Sequence, residues 1–192
     1  VIVDRTTLGF DVDISVFEKY GTVISYDFTK KEETEDRIKD ADIVLTNKVL
    51  ITKEHMDNSN IQLICITATG MNNVDLEYAK IKKIEVKNVA GYSTSSVVQV
   101  GFSMIFHFVQ KLNYYKNYVD QGKWQKSDIF THIDKPFFEL DGKKVGIIGL
   151  GEIGRNFAKK AKAFDCEVMY YSTSGRNSNS EYKQVSLDKI LK

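Results

Sequence analysis

Two α/β units in tandem, each a parallel sheet with helices on its faces, are the architecture this 192-residue sequence predicts. Three observations carry the prediction. Short apolar runs alternate with charged, helically spaced segments from the first residue to the last, as a parallel sheet flanked by helices requires. A glycine-rich turn follows an apolar strand directly at Gly149 and opens a helix. Between the early repeats and that turn lies a long apolar helical pattern followed by an aperiodic stretch, which marks a boundary.

The first unit supplies five strands. Residues 1–4, Val1-Ile2-Val3-Asp4, form the first, and an opening in such a run without an initiator Met reads as a start inside that strand. Residues 14–20 are a helix and 23–26 the second strand. Thr29 followed three residues later by Glu32 forms a capping box, predicting a helix to about residue 40. Residues 43–46 are the third strand, 53–57 a short helix, 62–67 the fourth strand, 75–82 a helix and 85–89 the fifth strand. Five such repeats in about 90 residues suit a flavodoxin-like unit over residues 1–92.

Beyond Gly91, the residues Val97, Gly101, Met104, Ile105, Phe108 and Leu112 recur at helical spacing, predicting one helix over 94–119. Its apolar excess suits a seam between domains or subunits. Residues 120–141 hold the single Trp124 and the single Pro136 with little periodicity and read as an irregular arm. Residues 93–142 therefore form the helix and a dimerisation arm, and a second domain begins at residue 143.

Composition narrows the partners. Lys+Arg number 27 and Asp+Glu 26, a net charge of +1 that gives no broad field for nucleic acid or an anionic membrane. No apolar stretch approaches the roughly 20 residues of a membrane span. Cys65 and Cys166 both lie at apolar runs without a CxxC or Cys/His neighbour, so two buried thiols in a reduced cytoplasmic protein are expected, and no metal site. The partner is then a small molecule or a second copy of the chain.

In Val145-Gly146-Ile147-Ile148-Gly149-Leu150-Gly151-Glu152-Ile153-Gly154 an apolar strand runs into GxGxxG, and helical spacing follows over 153–164. The first glycine allows the tight turn, the second lets backbone approach a pyrophosphate, and the third lets helix pack on strand. Unpaired N–H groups at the new helix's N-terminus, including those of Glu152 and Ile153, then face the phosphates. With a second strand over 167–171 the segment reads as the beginning of a Rossmann dinucleotide-binding domain, which makes NAD(P)H the cofactor. An acid should end that second strand to hold a ribose 2′-OH. Here Tyr171 is followed by Ser172-Thr173-Ser174-Gly175-Arg176, in a Ser/Thr/Asn/Gly-rich loop over 172–180. Ser172 with Arg176 suits a 2′-phosphate, which leans the reading to NADPH; a solvated loop arginine is the alternative.

The runs Thr46-Asn47-Lys48, Thr67-Ala68-Thr69-Gly70-Met71-Asn72-Asn73-Val74-Asp75 and Asn88-Val89-Ala90-Gly91-Tyr92-Ser93-Thr94, with Gly122-Lys123-Trp124 and the glycine turn, resemble the D-isomer-specific 2-hydroxyacid dehydrogenases. Within them the sequence is most similar to the glycerate dehydrogenases, also called hydroxypyruvate reductases. The resemblance implies two domains with a cleft between them, a homodimer, and hydride transfer between NAD(P)H and a small 2-keto or 2-hydroxy acid. It implies that Thr69, Gly70 and Met71 line the substrate site with backbone N–H groups, and that Thr69 lies near the cofactor. NADPH-using hydroxypyruvate reductases also carry a Gly-Arg pair similar to Gly175-Arg176.

Residue chemistry agrees that loops after the carboxyl ends of parallel strands hold ligands, although a plain βα turn is the other reading of 69–71. Lys48 follows the third strand at the same edge and either faces substrate or is a solvated loop lysine. Relatives often have Gln-His-Thr where this chain has Gln99-Val100-Gly101, and His55, His107 and His132 fall in no motif that uses histidine.

The family's catalytic arginine, histidine and carboxylate belong to the cofactor domain after its second βα unit. The chain ends at Lys192, after a helix pattern at 187–191 and two of six Rossmann strands, so about 120 further residues are expected and no catalytic residue is assigned here. An NAD(H)-sensing co-repressor of the same fold is the rival reading. A phospho-acceptor receiver is disfavoured because Asp4 stands alone after the first strand and Thr46-Asn47-Lys48 follows the third.

Overall fold

The computed structural model describes residues 1–178 and 181–192, and the chain divides into two compact units, Val1–Tyr92 and Ser93–Lys192. Both are α/β. No helix among the described residues is long and apolar enough to cross a membrane.

In the first unit β1 (Ile43–Thr46), β2 (Leu63–Ile66) and β3 (Glu85–Asn88) form a parallel sheet in that order. Two further extended segments join it through single bridges, Ile2 pairing with Leu45 on one side and with Ser25 on the other. The Val3 N–H donates to the Leu45 carbonyl at 3.1 Å, and the Tyr26 N–H to that of Ile2 at 2.8 Å. In chain order the five segments lie 2-1-3-4-5, the flavodoxin-like arrangement. The two expected strands at 1–4 and 23–26 are thus present as pairings but too short to be regular strands. Val3, Val44, Ile64 and Ile66 meet Ile38, Met56 and Ala79 in a closed core.

The helices are α1 (Thr34–Ile38), α2 (Lys53–Asp57) and α3 (Leu76–Ile81). α2 lies where the sequence places it, its first turn closed by Thr52, whose hydroxyl accepts from the His55 N–H. His55 Nδ1 accepts from the Thr52 N–H in return, so this histidine is a capping residue. Asp75 caps α3 by accepting from the Tyr78 N–H at 3.0 Å. Two expectations are corrected. Residues 15–20 form a 3-10 helix, and Thr29 caps nothing. Its buried hydroxyl donates to the Val3 carbonyl and accepts from Arg37 Nη1, while the Glu33 carboxylate accepts from the Lys30 N–H and closes the turn instead.

In the second unit, the expected single helix over 94–119 is two, α4 (Thr94–Val109) and α5 (Leu112–Asp120). Lys111 between them takes a left-handed conformation, φ 53°, unfavourable for a residue with a Cβ. The arm compensates: the Phe138 N–H donates to the Val109 carbonyl at 3.0 Å, and Gln110 Nε2 donates to the Phe138 carbonyl at 3.1 Å. Backbone from outside the helix therefore satisfies the end of α4.

β4 (Lys144–Ile148), β5 (Glu167–Tyr171) and β6 (Lys183–Gln184) form a parallel sheet in that order, with α6 (Glu152–Ala163) crossing between the first two and α7 (Leu187–Ile190) following β6. This is the first half of a Rossmann sheet. β6 has no counterpart among the expected strands, because two residues carry no period. The loop expected at 172–180 contains no helix or strand over 172–178, and residues 179 and 180 lie outside the described residues.

α4 buries Val98 and Phe102 within this unit, against α6. Phe102 stacks on Phe157 with centroids 4.4 Å apart, and a Cβ added at Gly101 would come within 2.7 Å of the Phe157 ring. That close approach accounts for a glycine in mid-helix. A second stripe of α4, Val97, Val100, Met104 and Phe108, remains exposed. Neither cysteine forms a disulfide among the described residues; Cys166 is buried as expected, whereas Cys65 is only half-buried. Burial pushes both thiols up from the ordinary cysteine range.

Candidate functional site

Both units offer a ligand-accessible edge where parallel strands end. In the first, three loops follow β1, β2 and β3 at the carboxyl edge. They are stitched together: Asn73 Nδ2 donates to the Val49 carbonyl at 3.1 Å, Ile51 bridges Val74, and Asn88 Nδ2 donates to the Thr69 carbonyl at 2.7 Å. The Thr69 hydroxyl donates to the Val89 carbonyl at 3.1 Å, so its proton is committed to the end of β3. Met71 turns its side chain onto the core. What remains open in this loop is backbone. Among the described residues the N–H groups of Gly70 and Met71 donate to no protein acceptor.

Lys48, on the neighbouring loop, is exposed and makes no ion pair among the described residues. That loop is held by a residue for which the sequence suggests no such part. The Asp4 carboxylate, 4% exposed, accepts from the N–H groups of Asn47, Lys48 and Val49.

In the second unit, the glycine turn between β4 and α6 carries three different constraints. Gly149 has φ +92°, which favours a residue without Cβ. A Cβ at Gly154 would lie 2.2 Å from the Gly149 carbonyl oxygen, so helix and turn touch there. At Gly151 an added Cβ would meet nothing within 4 Å. The protein itself gives no packing reason for that glycine, and the space before it is open. The first intrahelical bond runs from Arg155 to Gly151 at 2.9 Å, leaving the N–H groups of Leu150, Gly151, Glu152, Ile153 and Gly154 without protein acceptors among the described residues. Five unpaired donors at the positive end of a helix around an open glycine fit a pyrophosphate.

The Glu152 carboxylate, which would repel that anion, is drawn aside, accepting from the Thr94 hydroxyl at 2.9 Å at the start of α4. Arg155 Nη1 donates to the Leu150 carbonyl at 3.2 Å and braces the turn. Neither Thr94 nor Arg155 is singled out by the sequence pattern. At the end of β5, Ser172 is buried with its hydroxyl unpaired, and Arg176 is exposed with no side-chain partner among the described residues. No group of three or more His, Cys, Asp or Glu among the described residues is placed to hold a metal ion. His132 is caged by tyrosines, its ring stacked 3.6 Å from that of Tyr118 and its Nε2 2.8 Å from the Tyr114 hydroxyl.

Residues 102–192 match the family described as D-isomer specific 2-hydroxyacid dehydrogenase, NAD binding domain. The hydroxypyruvate reductase of Blautia hydrogenotrophica is 37% identical over 189 residues, covering 94% of this chain and 58% of that protein. The chain belongs to the D-isomer specific 2-hydroxyacid dehydrogenase family. The glycerate dehydrogenase of Methylorubrum extorquens is 31% identical over 173 residues, 89% of this chain and 54% of that one. The chain thus spans little more than half the length of these relatives. Among solved structures, an acyclic imino acid reductase in complex with NADPH and D-Arg superposes with a TM-score of 0.79 at 26% identity, covering 93% of this chain and 57% of that one. The matched family domain is NAD-binding, so a nicotinamide cofactor is the ligand class of the second unit.

The geometry separates the roles of two glycines. Gly151→Val should leave circular dichroism and thermal melting unchanged and weaken NADPH binding at least about tenfold, because only the ligand needs that space. Gly154→Ala should destabilise the second unit by about 1–3 kcal/mol in urea unfolding, the cost of overpacking.

Proposed function

We propose that the protein reduces a small 2-keto acid, of the hydroxypyruvate or glyoxylate class, to the D-2-hydroxy acid with NADPH. The observation that carries this reading is the open turn at Gly151 with its five unpaired amide donors. When bound, the nicotinamide would supply a hydride to the carbonyl carbon of the keto acid, whose oxygen would take up a proton to give the hydroxyl. The chain's own residues bind and orient: the amides of residues 150–154 take the pyrophosphate, and those of Gly70 and Met71, with the Lys48 ammonium, take the substrate carboxylate. Thr69 contributes shape, holding its loop on the end of β3. The family's arginine, histidine and carboxylate catalysts are assigned to no residue of this chain. The enzyme names of the relatives favour this reading over an NAD(H)-sensing co-repressor.

Preference for NADPH rests on Ser172 and Arg176. No carboxylate stands at the end of β5 to repel a 2′-phosphate, and among the described residues the Ser172 hydroxyl and the Arg176 guanidinium have no partner. A charge-assisted hydrogen bond contributes about 1.5–3 kcal/mol, and solvent at an exposed arginine reduces this to roughly a three- to tenfold preference.

Two cysteines at apolar runs with no CxxC or Cys/His neighbour suit a cytoplasmic enzyme. For the partner, we propose a second copy of the chain covering the outer stripe of α4, since apolar stripes of this kind are seldom left in solvent.

Two experiments on the full-length protein test these readings. Arg176→Ala should raise KM for NADPH about three- to tenfold with little change for NADH, and Ser172→Asp should reverse the preference; equal effects on both cofactors would reduce Arg176 to a solvated loop residue. Phe108→Glu should shift sedimentation from dimer toward monomer, and an unchanged sedimentation coefficient would remove α4 from the interface.

A further inference from the structure

The most unusual electrostatic feature of the first unit is a buried carboxylate with no cation. Asp4 is 4% exposed and ends the extended segment next to β1. Its Oδ2 accepts from the N–H groups of Asn47 at 2.9 Å, Lys48 at 2.7 Å and Val49 at 3.3 Å, and from the Thr46 hydroxyl at 3.3 Å. Oδ1 accepts from the Asn47 N–H at 3.0 Å. No ion pair with Asp4 occurs among the described residues. Three successive amides converging on one anion form a nest, which binds anions wherever it occurs. Here the anion comes from the chain itself, about 43 residues earlier in sequence than the loop it holds.

We infer that Asp4 is a positioning residue for Lys48, an inference that rests on the reading of Lys48 as a substrate-facing group. A buried carboxylate is tolerable only while its hydrogen bonds are made, and the nest is satisfied only while the anion is in place, so each holds the other. The consequence is twofold. The backbone at Lys48 is pinned by its own N–H, the shortest of the five contacts, and this sets where the lysine side chain leaves the sheet edge. The nest is also filled from within, so it does not compete for the substrate carboxylate. The unpaired amides of Gly70 and Met71 and the Lys48 ammonium are left as the anion receptors of that edge.

The test uses full-length enzyme with hydroxypyruvate as the varied substrate and NADPH saturating, comparing Asp4→Asn, Lys48→Ala and the double variant. Asp4→Asn keeps the shape and removes the charge. It should raise KM for hydroxypyruvate about fivefold while kcat changes less than about twofold and KM for NADPH stays the same. The double variant should be no worse than Lys48→Ala alone. An unchanged KM in Asp4→Asn while Lys48→Ala raises it would overturn the inference and leave the Lys48 reading standing. A rise in KM on Asp4→Asn by an equal factor with and without Lys48 would overturn it in the same way. If Lys48→Ala leaves KM unaltered, the Lys48 reading fails and this inference falls with it. Should Asp4→Asn not fold, Thr46→Val, which removes one donor to the carboxylate, takes its place with a smaller rise in the same direction and the same criteria.

Discussion

Where a parallel strand ends, the chain must turn back over the sheet, and the N–H groups of that turn have no neighbouring strand to receive them. Each must find a side chain, a solvent molecule or a ligand. The two units answer this constraint differently. In the first, Asp4 supplies an internal anion to the loop after β1, while in the loop after β2 the amides of Gly70 and Met71 are among those with no protein acceptor among the described residues. In the second, no side chain fills the turn after β4. The Glu152 carboxylate is turned away to Thr94, and among the described residues five donors remain open.

The glycines follow from the same constraint. Gly149 lets the chain reverse, and Gly154 lets helix and turn touch, with no room for even a methyl group. Gly151 alone in the turn has no packing reason within the protein, which is the ground for the proposal that a ligand comes there. Gly101 in α4 belongs with Gly154, because the Phe157 ring occupies the place of its missing Cβ. Stacking of Phe102 on Phe157, worth about 0.5–1.5 kcal/mol beyond its buried area, fixes α4 on α6 and so places Thr94 beside Glu152.

Features written in local period or spacing were legible in the sequence. Strands β1 and β5 and helix α2 have the predicted bounds, and the glycine turn has the predicted form, because each is set by residues a few positions apart. Features set by distant partners were not. The break at Lys111 carries no Gly or Pro, since backbone at residue 138 satisfies it. Thr29 has the spacing of a cap but is claimed by Val3 and Arg37. The site divides along the same line. Gly70, Met71, Gly149, Gly151 and Gly154 lie in recognisable runs, whereas the tether of Asp4 to residues 46–49 had no sequence signal beyond an acid at the end of a strand.

The central claim is that the unpaired amides of residues 150–154 receive the pyrophosphate of a nicotinamide dinucleotide. Titration of nitrogen-labelled protein with NADPH, followed by backbone amide NMR, tests it most directly. The resonances of Leu150, Gly151, Glu152, Ile153 and Gly154 should move together and become protected from hydrogen exchange. Saturable NADPH binding that leaves these five amides unmoved, or no binding by folded protein, would contradict it.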